Sequence, residues 1–164
     1  QKNQVTAIKA FAQFLKKYPD YKLIIVGDGQ DKMKLKDICS DLKIYDKVKF
    51  IGWVKNPSKL YLKSKILLFP SLYEGLPNTL IDSINFDLPC LSSNCSGASD
   101  ILLGNTRIYS PTNDYKLLSK KMELMILNYN KTLKENKILK KNLSKFLIVN
   151  QVSQYIKYCN SIIN

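Results

Sequence analysis

Glu74 and Asp82 are the residues whose types and spacing point most clearly to chemistry. They lie in the stretch SLYEGLPNTLIDSI, residues 71–84. Gly75 lets a ligand approach the backbone closely, because no side chain intervenes. Pro77 suits the first turn of a helix, where its missing N–H costs nothing. Asn78 and Thr79 then present backbone N–H groups at the positive end of that helix, an anion site that fits a phosphate or diphosphate. A carboxylate at position 74 is a poor phosphate ligand but a good acceptor for sugar hydroxyls. Asp82 lies about two helical turns beyond Gly75. The pair can therefore bracket one ligand, a sugar at one end and a ribose diol at the other, with a diphosphate between. The same residues also fit a turn glutamate and a solvent-facing aspartate among Leu80, Ile81 and Ile84. Spacing alone leaves both readings open.

Composition removes several other chemistries. The chain has no histidine, so Ser-His-Asp, Cys-His and histidine general-base schemes cannot be completed within it. The cysteines Cys39, Cys90, Cys95 and Cys159 show no metal-ligand spacing. Free thiols and no metal are expected. The net charge is +13, carried almost wholly by lysine, with Arg107 the one arginine. Nucleic acid, anionic lipid headgroups and phosphorylated substrates are the partners such charge can meet. Scarcity of arginine argues against a sequence-specific DNA reader. Abundant Lys, Ile and Asn are equally what AT-rich coding produces. No apolar run approaches the roughly 18 residues of a membrane span.

The elements that must position these residues follow from periodicity. Residues 5–18 carry Val5, Ile8, Phe11, Ala12 and Leu15 at helical spacing. KLIIVGDG is a short run apolar on both faces, the mark of a buried parallel strand, and G-D-G stops it. A helix over 31–42, the strand KVKFIGWV, a short helix over 57–63 and the strand KILLFP come next. A helix over 75–86, the strand LPCLSS, a turn or two of helix over 98–103 and the strand TRIYS follow. Helices over 113–128 (with Asn113 or Asp114 at the N-cap), 131–146 and 150–162 close the chain. Leu133, Ile138, Leu139, Leu143 and Phe146 are the expected buried stripe of the penultimate helix. Alternating strands and helices specify an α/β fold, a Rossmann-like three-layer sandwich with a mainly parallel sheet. At 164 residues the chain fits one domain. In such sheets ligands bind beyond the carboxyl ends of the strands. Candidate loops are therefore 27–29, 52–53, 71–77, 92–97 and 110–111. Gly27 and Gly29 fit the phosphate side of a cleft, and fit a plain turn equally well.

VGDG after a strand, VKFIGWV, LYLKSKILLFPSLYEGLPNTLIDSI and LPCLSSNCSGASDIL together resemble the C-terminal, donor-binding domain of family 4 retaining glycosyltransferases. The resemblance covers nearly the whole chain, residues 1–164, and implies one half of a GT-B enzyme. It further implies an N-terminal acceptor domain and a first strand that are not in this sequence. Glu74 matches the first acidic residue of the family's E-x7-E signature, which contacts the transferred sugar. Asp82 takes the place of the second, which holds the ribose hydroxyls, with aspartate where the family has glutamate. Gly75, Leu76, Asn78 and Thr79 match the positions that supply backbone amides to the diphosphate. Lys2, in QKN, matches a lysine used on the diphosphate. The backbone around Trp53 and Val54 lies where the family reads the nucleotide base. NCSGASDIL is expected to close over the sugar.

The implied reaction is transfer of a sugar from a nucleoside diphosphate sugar, a UDP-sugar by preference, to a glycan or lipid-linked acceptor in bacterial surface polysaccharide synthesis. Glu74 and Lys2 are the implied catalytic residues, without metal or further cofactor, and this chain alone is expected to be inactive. The expected location is cytoplasmic, peripheral on the inner face of the membrane where lysines meet anionic headgroups, with no nucleic-acid partner. A nucleotide-sugar epimerase of the same architecture, a nucleotide-sugar domain that binds without turnover and a basic nucleic-acid-binding module are the rival readings.

Overall fold

The computed structural model describes residues 1–103, 107–109, 113–146 and 148–163. Helix α1 spans Gln4–Leu15 and is followed by β1, Leu23–Val26. Then come α2 (Lys32–Asp41), β2 (Val48–Ile51), α3 (Ser58–Lys63) and β3 (Leu67–Phe69). After these are α4 (Asn78–Asn85), β4 (Cys90–Ser93), α5 (Ala98–Leu102) and β5 (Ile108–Tyr109). Helices α6 (Tyr115–Leu127), α7 (Tyr129–Asn142) and α8 (Ile148–Ile163) end the described chain. Asp114 caps α6, its Oδ1 accepting the Leu117 N–H at 2.8 Å, as its position before the apolar run predicts.

Among the described residues every strand pairing is parallel, with Leu23 opposite Val48, Leu67 opposite Cys90 and Ser92 opposite Ile108. The pairings form two ladders, β1–β2 and β3–β4–β5, rather than the single sheet expected. One helical layer nonetheless lies over both. Ile8, Phe11 and Phe14 of α1, Leu35 and Cys39 of α2 and Leu118, Met122 and Met125 of α6 share a core with Val48 of β2 and Leu91 of β4. Leu80 and Ile84 of α4, Ile101 and Leu102 of α5 and Leu139 of α7 pack with Phe69 and Cys90 on the other side. Neighbouring Cys90 and Leu91 thus enter opposite cores, as the alternation of a strand requires, and three layers result. Each fully buried Leu or Ile contributes about 1.5–3 kcal/mol relative to exposure. Burial also pushes the Cys90 thiol up to about 11.

Three expectations need correction. β1 is not buried on both faces: Ile24 and Val26 are 39% and 44% exposed. Leu23 and Ile25 pack against the α1–α2–α6 core. Helix α4 begins at Asn78, not Gly75. The Asn78 N–H bonds the Leu76 carbonyl at 2.9 Å, which closes a tight turn and holds residues 75–77 out of the helix. In α7 the buried face is Thr132, Asn136 and Leu139, continued by Leu143, while Ile138 is exposed. That face meets Arg107, which is 2% exposed. Its Nη1 donates to Asn136 Oδ1 at 2.8 Å and its Nη2 to the Thr132 carbonyl, with Glu135 at 3.6 Å. Lysine lacks this planar fork, which explains an arginine here in a lysine-rich chain.

Candidate functional site

The loop after β3 is built from the inside outward. Ser71 is buried, and its carbonyl accepts the hydroxyl of buried Ser93 at the end of β4. The backbone ahead of α1 straps the loop from outside: the Leu72 N–H donates to the Gln1 carbonyl at 2.9 Å, and Gln1 Nε2 to the Tyr73 carbonyl at 3.4 Å. That strap brings Lys2 to Glu74, 72 residues away in sequence, with Nζ donating to Oε1 at 2.7 Å. The Glu74 side chain is only 12% exposed. Burial alone would raise its pKa; hydrogen bonds from Lys2 and Ser71 and the Lys2 charge outweigh burial and hold it below the ordinary glutamate value. Lys2 also sits 6.0 Å from the centroid of the Phe69 ring.

Gly97 braces the same loop from the β4 side. Its φ of +75° is left-handed, and a Cβ there would overlap the Gly75 carbonyl oxygen and lie 2.9 Å from Pro77 Cδ. Gly75 and Leu76 are exposed beyond this contact. At the start of α4 the Leu80 N–H is taken by the Pro77 carbonyl. Among the described residues the Thr79 N–H has no backbone acceptor, so it keeps the anion-binding capacity of a helix start. The Asn78 N–H, occupied by Leu76, does not. Asp82 is exposed on α4. Its charge faces α3, where it and burial raise the Tyr61 pKa, burial being the larger cause.

The loops after β1 and β2 form a second group. Gly27 turns at φ +112°, and its N–H reaches the carbonyls of Ile51 and Gly52 at 3.0 and 3.2 Å. Asp28 Oδ2 accepts the Trp53 N–H at 2.8 Å. The Trp53 side chain stands in solvent, 74% exposed.

The model of the family described as glycosyl transferases group 1 matches residues 1–146, a span that holds every residue of both loop groups. The chain belongs to the group 1 glycosyl transferases. It is 38% identical over 132 residues to the GalNAc-α-(1→4)-GalNAc-α-(1→3)-diNAcBac-PP-undecaprenol α-1,4-N-acetyl-D-galactosaminyltransferase of Campylobacter jejuni, covering 79% of this chain and 36% of that one. It is 34% identical over 99 residues to the lipopolysaccharide 1,6-galactosyltransferase of Escherichia coli, covering 56% of this chain and 28% of that one. The crystal structure of Anabaena HepE in complex with UDP-glucose superposes with a TM-score of 0.82 at 20% identity, covering 98% of this chain and 45% of that one. The fold is the α/β arrangement expected for one half of a GT-B enzyme. The chain thus spans about a third of its Campylobacter relative and less than half of HepE.

The expected residues fall in two loop groups, the two walls of the donor site proposed below. Lys2, Glu74, Gly75, Leu76, Asn78 and Thr79 share one wall, with Asp82 on the exposed side of α4. Gly27, Trp53 and Val54 share the other. Gly29 belongs to neither by contact: its φ is ordinary and nothing lies within 4 Å of a Cβ placed there. Residues 110–112 lie outside the described residues, and with them the candidate loop Ser110-Pro111. Sequence reasoning missed Ser71, Ser93, Gly97 and Asp28 as supports. A polar residue just after an apolar strand was the available signal for Ser71, and the aspartate inside G-D-G for Asp28. Gly97 had only its place in SGA.

Proposed function

We propose that this chain is the donor-binding domain of a retaining glycosyltransferase. It takes a nucleoside diphosphate sugar, a UDP-sugar, for transfer to a glycan or lipid-linked acceptor of a bacterial surface polysaccharide. The observation that carries this reading is the Lys2–Glu74 pair at 2.7 Å, beside the exposed Gly75-Leu76 backbone and the start of α4. A cation, exposed amides and a helix start offset the charge that grows on a departing diphosphate. Glu74, held anionic next to them, accepts hydrogen bonds from the sugar hydroxyls and orients the sugar. Asp82 takes the ribose diol and the Trp53-Val54 backbone the base. HepE, whose complex with UDP-glucose shares this fold, supports the donor class. The Campylobacter and Escherichia relatives, named for an undecaprenol-linked glycan and lipopolysaccharide, support the acceptor class.

In this reading the positive charge at the diphosphate comes from Lys2 and α4, with no metal ion. No described helix is long and apolar enough to cross a membrane. Contact with a lipid-linked acceptor then rests on surface lysines against anionic headgroups.

The test is calorimetric titration of the full chain with UDP and GDP, with and without magnesium, in wild type, Glu74→Ala and Asp82→Ala. Metal-independent binding of UDP, weakened by Asp82→Ala, is the expected result. Absence of binding by either nucleotide at millimolar concentration overturns the reading. Anomeric configuration of the product, read by NMR from the enzyme with its acceptor domain, tests retention.

A further inference from the structure

The G-D-G turn after β1 contains a carboxylate that the donor site as described does not use. Asp28 Oδ2 accepts the Trp53 N–H at 2.8 Å, and Oδ1 accepts a hydrogen bond from Lys32 Nζ at 3.2 Å. These bonds hold the Asp28 pKa below its ordinary value, the Trp53 bond being the larger cause. The neighbouring residue is fitted to this contact. A Cβ on Gly52 would stand 3.0 Å from Asp28 Oδ2 and 3.3 Å from Oδ1, tighter than such a carboxylate tolerates without moving. The Gly27 N–H adds its bonds to Ile51 and Gly52 just before. Residues 51–53 are therefore fixed from one side, by the first two residues of G-D-G.

This has a consequence for the base. The Trp53 N–H is aimed at Asp28 and cannot read a base edge. Among the described residues the Val54 N–H and carbonyl have no backbone partner. One residue then offers one donor and one acceptor side by side. That matches the imide edge of uracil, where an N–H lies between two carbonyls. The pair is useful only while the loop is held in place, since a disordered loop would lose affinity to its own ordering.

We propose that Asp28 is a positioning residue for base recognition: by holding the Trp53 N–H it presents the Val54 N–H and carbonyl to a uracil-type base. The G-D-G turn thus serves the base and not the phosphates. This rests on the donor-binding reading above, and the experiment separates the two.

Trp53 is the one tryptophan of the chain, so its fluorescence reports on this loop alone. The full chain is compared as wild type, Asp28→Ala, Asp28→Asn, Gly52→Ala and the Asp28→Ala/Gly52→Ala double variant. Calorimetry with UDP, GDP and inorganic pyrophosphate is combined with Trp53 anisotropy, and circular dichroism confirms folding. Asp28→Ala should weaken UDP about tenfold, the effect of losing one charge-assisted hydrogen bond, and leave pyrophosphate within about twofold. Preference for UDP over GDP should shrink with it, and Trp53 anisotropy should fall in the free protein. Asp28→Asn, which keeps a carbonyl acceptor for the Trp53 N–H, should recover most of both. Gly52→Ala, which crowds the Asp28 carboxylate without removing it, should weaken UDP less than Asp28→Ala, and the double variant should cost no more than Asp28→Ala alone, because both act on one contact.

An unchanged ratio of UDP to pyrophosphate affinity in Asp28→Ala overturns the proposal and leaves the donor reading standing. Equal loss of UDP and pyrophosphate overturns it as well, since Asp28 would then support the whole site. A wild type that binds pyrophosphate but neither nucleotide overturns both readings.

Discussion

The two walls of the site are held in place differently. Around Glu74 the loop is braced on every side: Ser93 from the core, Gln1 from outside, Lys2 on the carboxylate and Gly97 against the Gly75 carbonyl. Around Trp53 one carboxylate and one glycine N–H do the corresponding work, and the side chain stands in solvent. In the proposed reading the braced wall meets the diphosphate and sugar, where charge develops during transfer. Donors aimed there must be preorganised, because reorganising them during reaction would raise the barrier. The tethered wall is assigned to the base, which is bound but not changed, so orientation suffices.

The comparison breaks most readily at Gly97. Gly97→Ala places a Cβ against the Gly75 carbonyl in a left-handed conformation, which alone costs about 1–2 kcal/mol. In the enzyme with its acceptor domain, where turnover is measured for this and the following variants, displacing the loop should lower turnover by about 100-fold or more and reduce Tm, while Trp53 emission stays as in wild type. A Trp53 spectrum that changes as much as turnover would show that the walls are not independent.

A somewhat smaller loss is expected from Glu74→Gln, which keeps the shape of the side chain but removes the charge paired with Lys2. Turnover should fall by about 100-fold, with UDP affinity nearly unchanged. The wild-type pH profile carries the same information. Because the folded pKa of Glu74 lies below its ordinary value, the ion pair is fully present above the ordinary glutamate range. It is lost only as pH falls through the lowered value. The acid limb of kcat/KM should therefore lie below the usual carboxylate range, and should vanish in Glu74→Gln.

Asp82→Ala removes an exposed carboxylate and should weaken UDP about tenfold with little change in Tm. An unchanged Kd would remove Asp82 from the donor site and leave Glu74 untouched.

The smallest effects fall in the tethered wall and sharpen it. Gly27→Ala, at φ +112°, should cost about 1–2 kcal/mol in urea unfolding. Gly29→Ala, with open space and an ordinary φ, should be neutral or stabilising by up to about 1 kcal/mol. If the two variants behave alike, G-D-G is a flexible turn rather than a clamp.

How far these walls were legible in the sequence follows the same division. β3 was readable because KILLFP is a short apolar run closed by Pro, β4 because LPCLSS follows the next helix in the alternating pattern, and the helix after EGLPN because its apolar positions repeat. The start of α4 was misplaced by three residues. Pro77 looks like a helix opener by rule, and only the Asn78-to-Leu76 bond shows the turn that precedes it. Glu74 was singled out, but its partner Lys2 was reached through family resemblance, because a contact across 72 residues leaves no local periodicity. Gly97 and Gly52 were opaque for a different cause. Each is a glycine because of what another loop puts beside it, and single-chain patterning carries no record of such approaches. Asp28 looked like one turn residue among many, since G-D-G satisfies turn chemistry before any tertiary contact is made.

Arg107 has a practical corollary. It is the chain's one arginine and lies behind Asn136 and Thr132 of α7. An arginine-specific protease therefore has a single site in this sequence, which it can reach only when α7 lifts away from β5. Cleavage into residues 1–107 and 108–164 then measures how often that lifting occurs. When opening and closing are fast relative to cleavage, the rate follows the equilibrium population of the open form. The molecule thus carries a gauge of its own local opening.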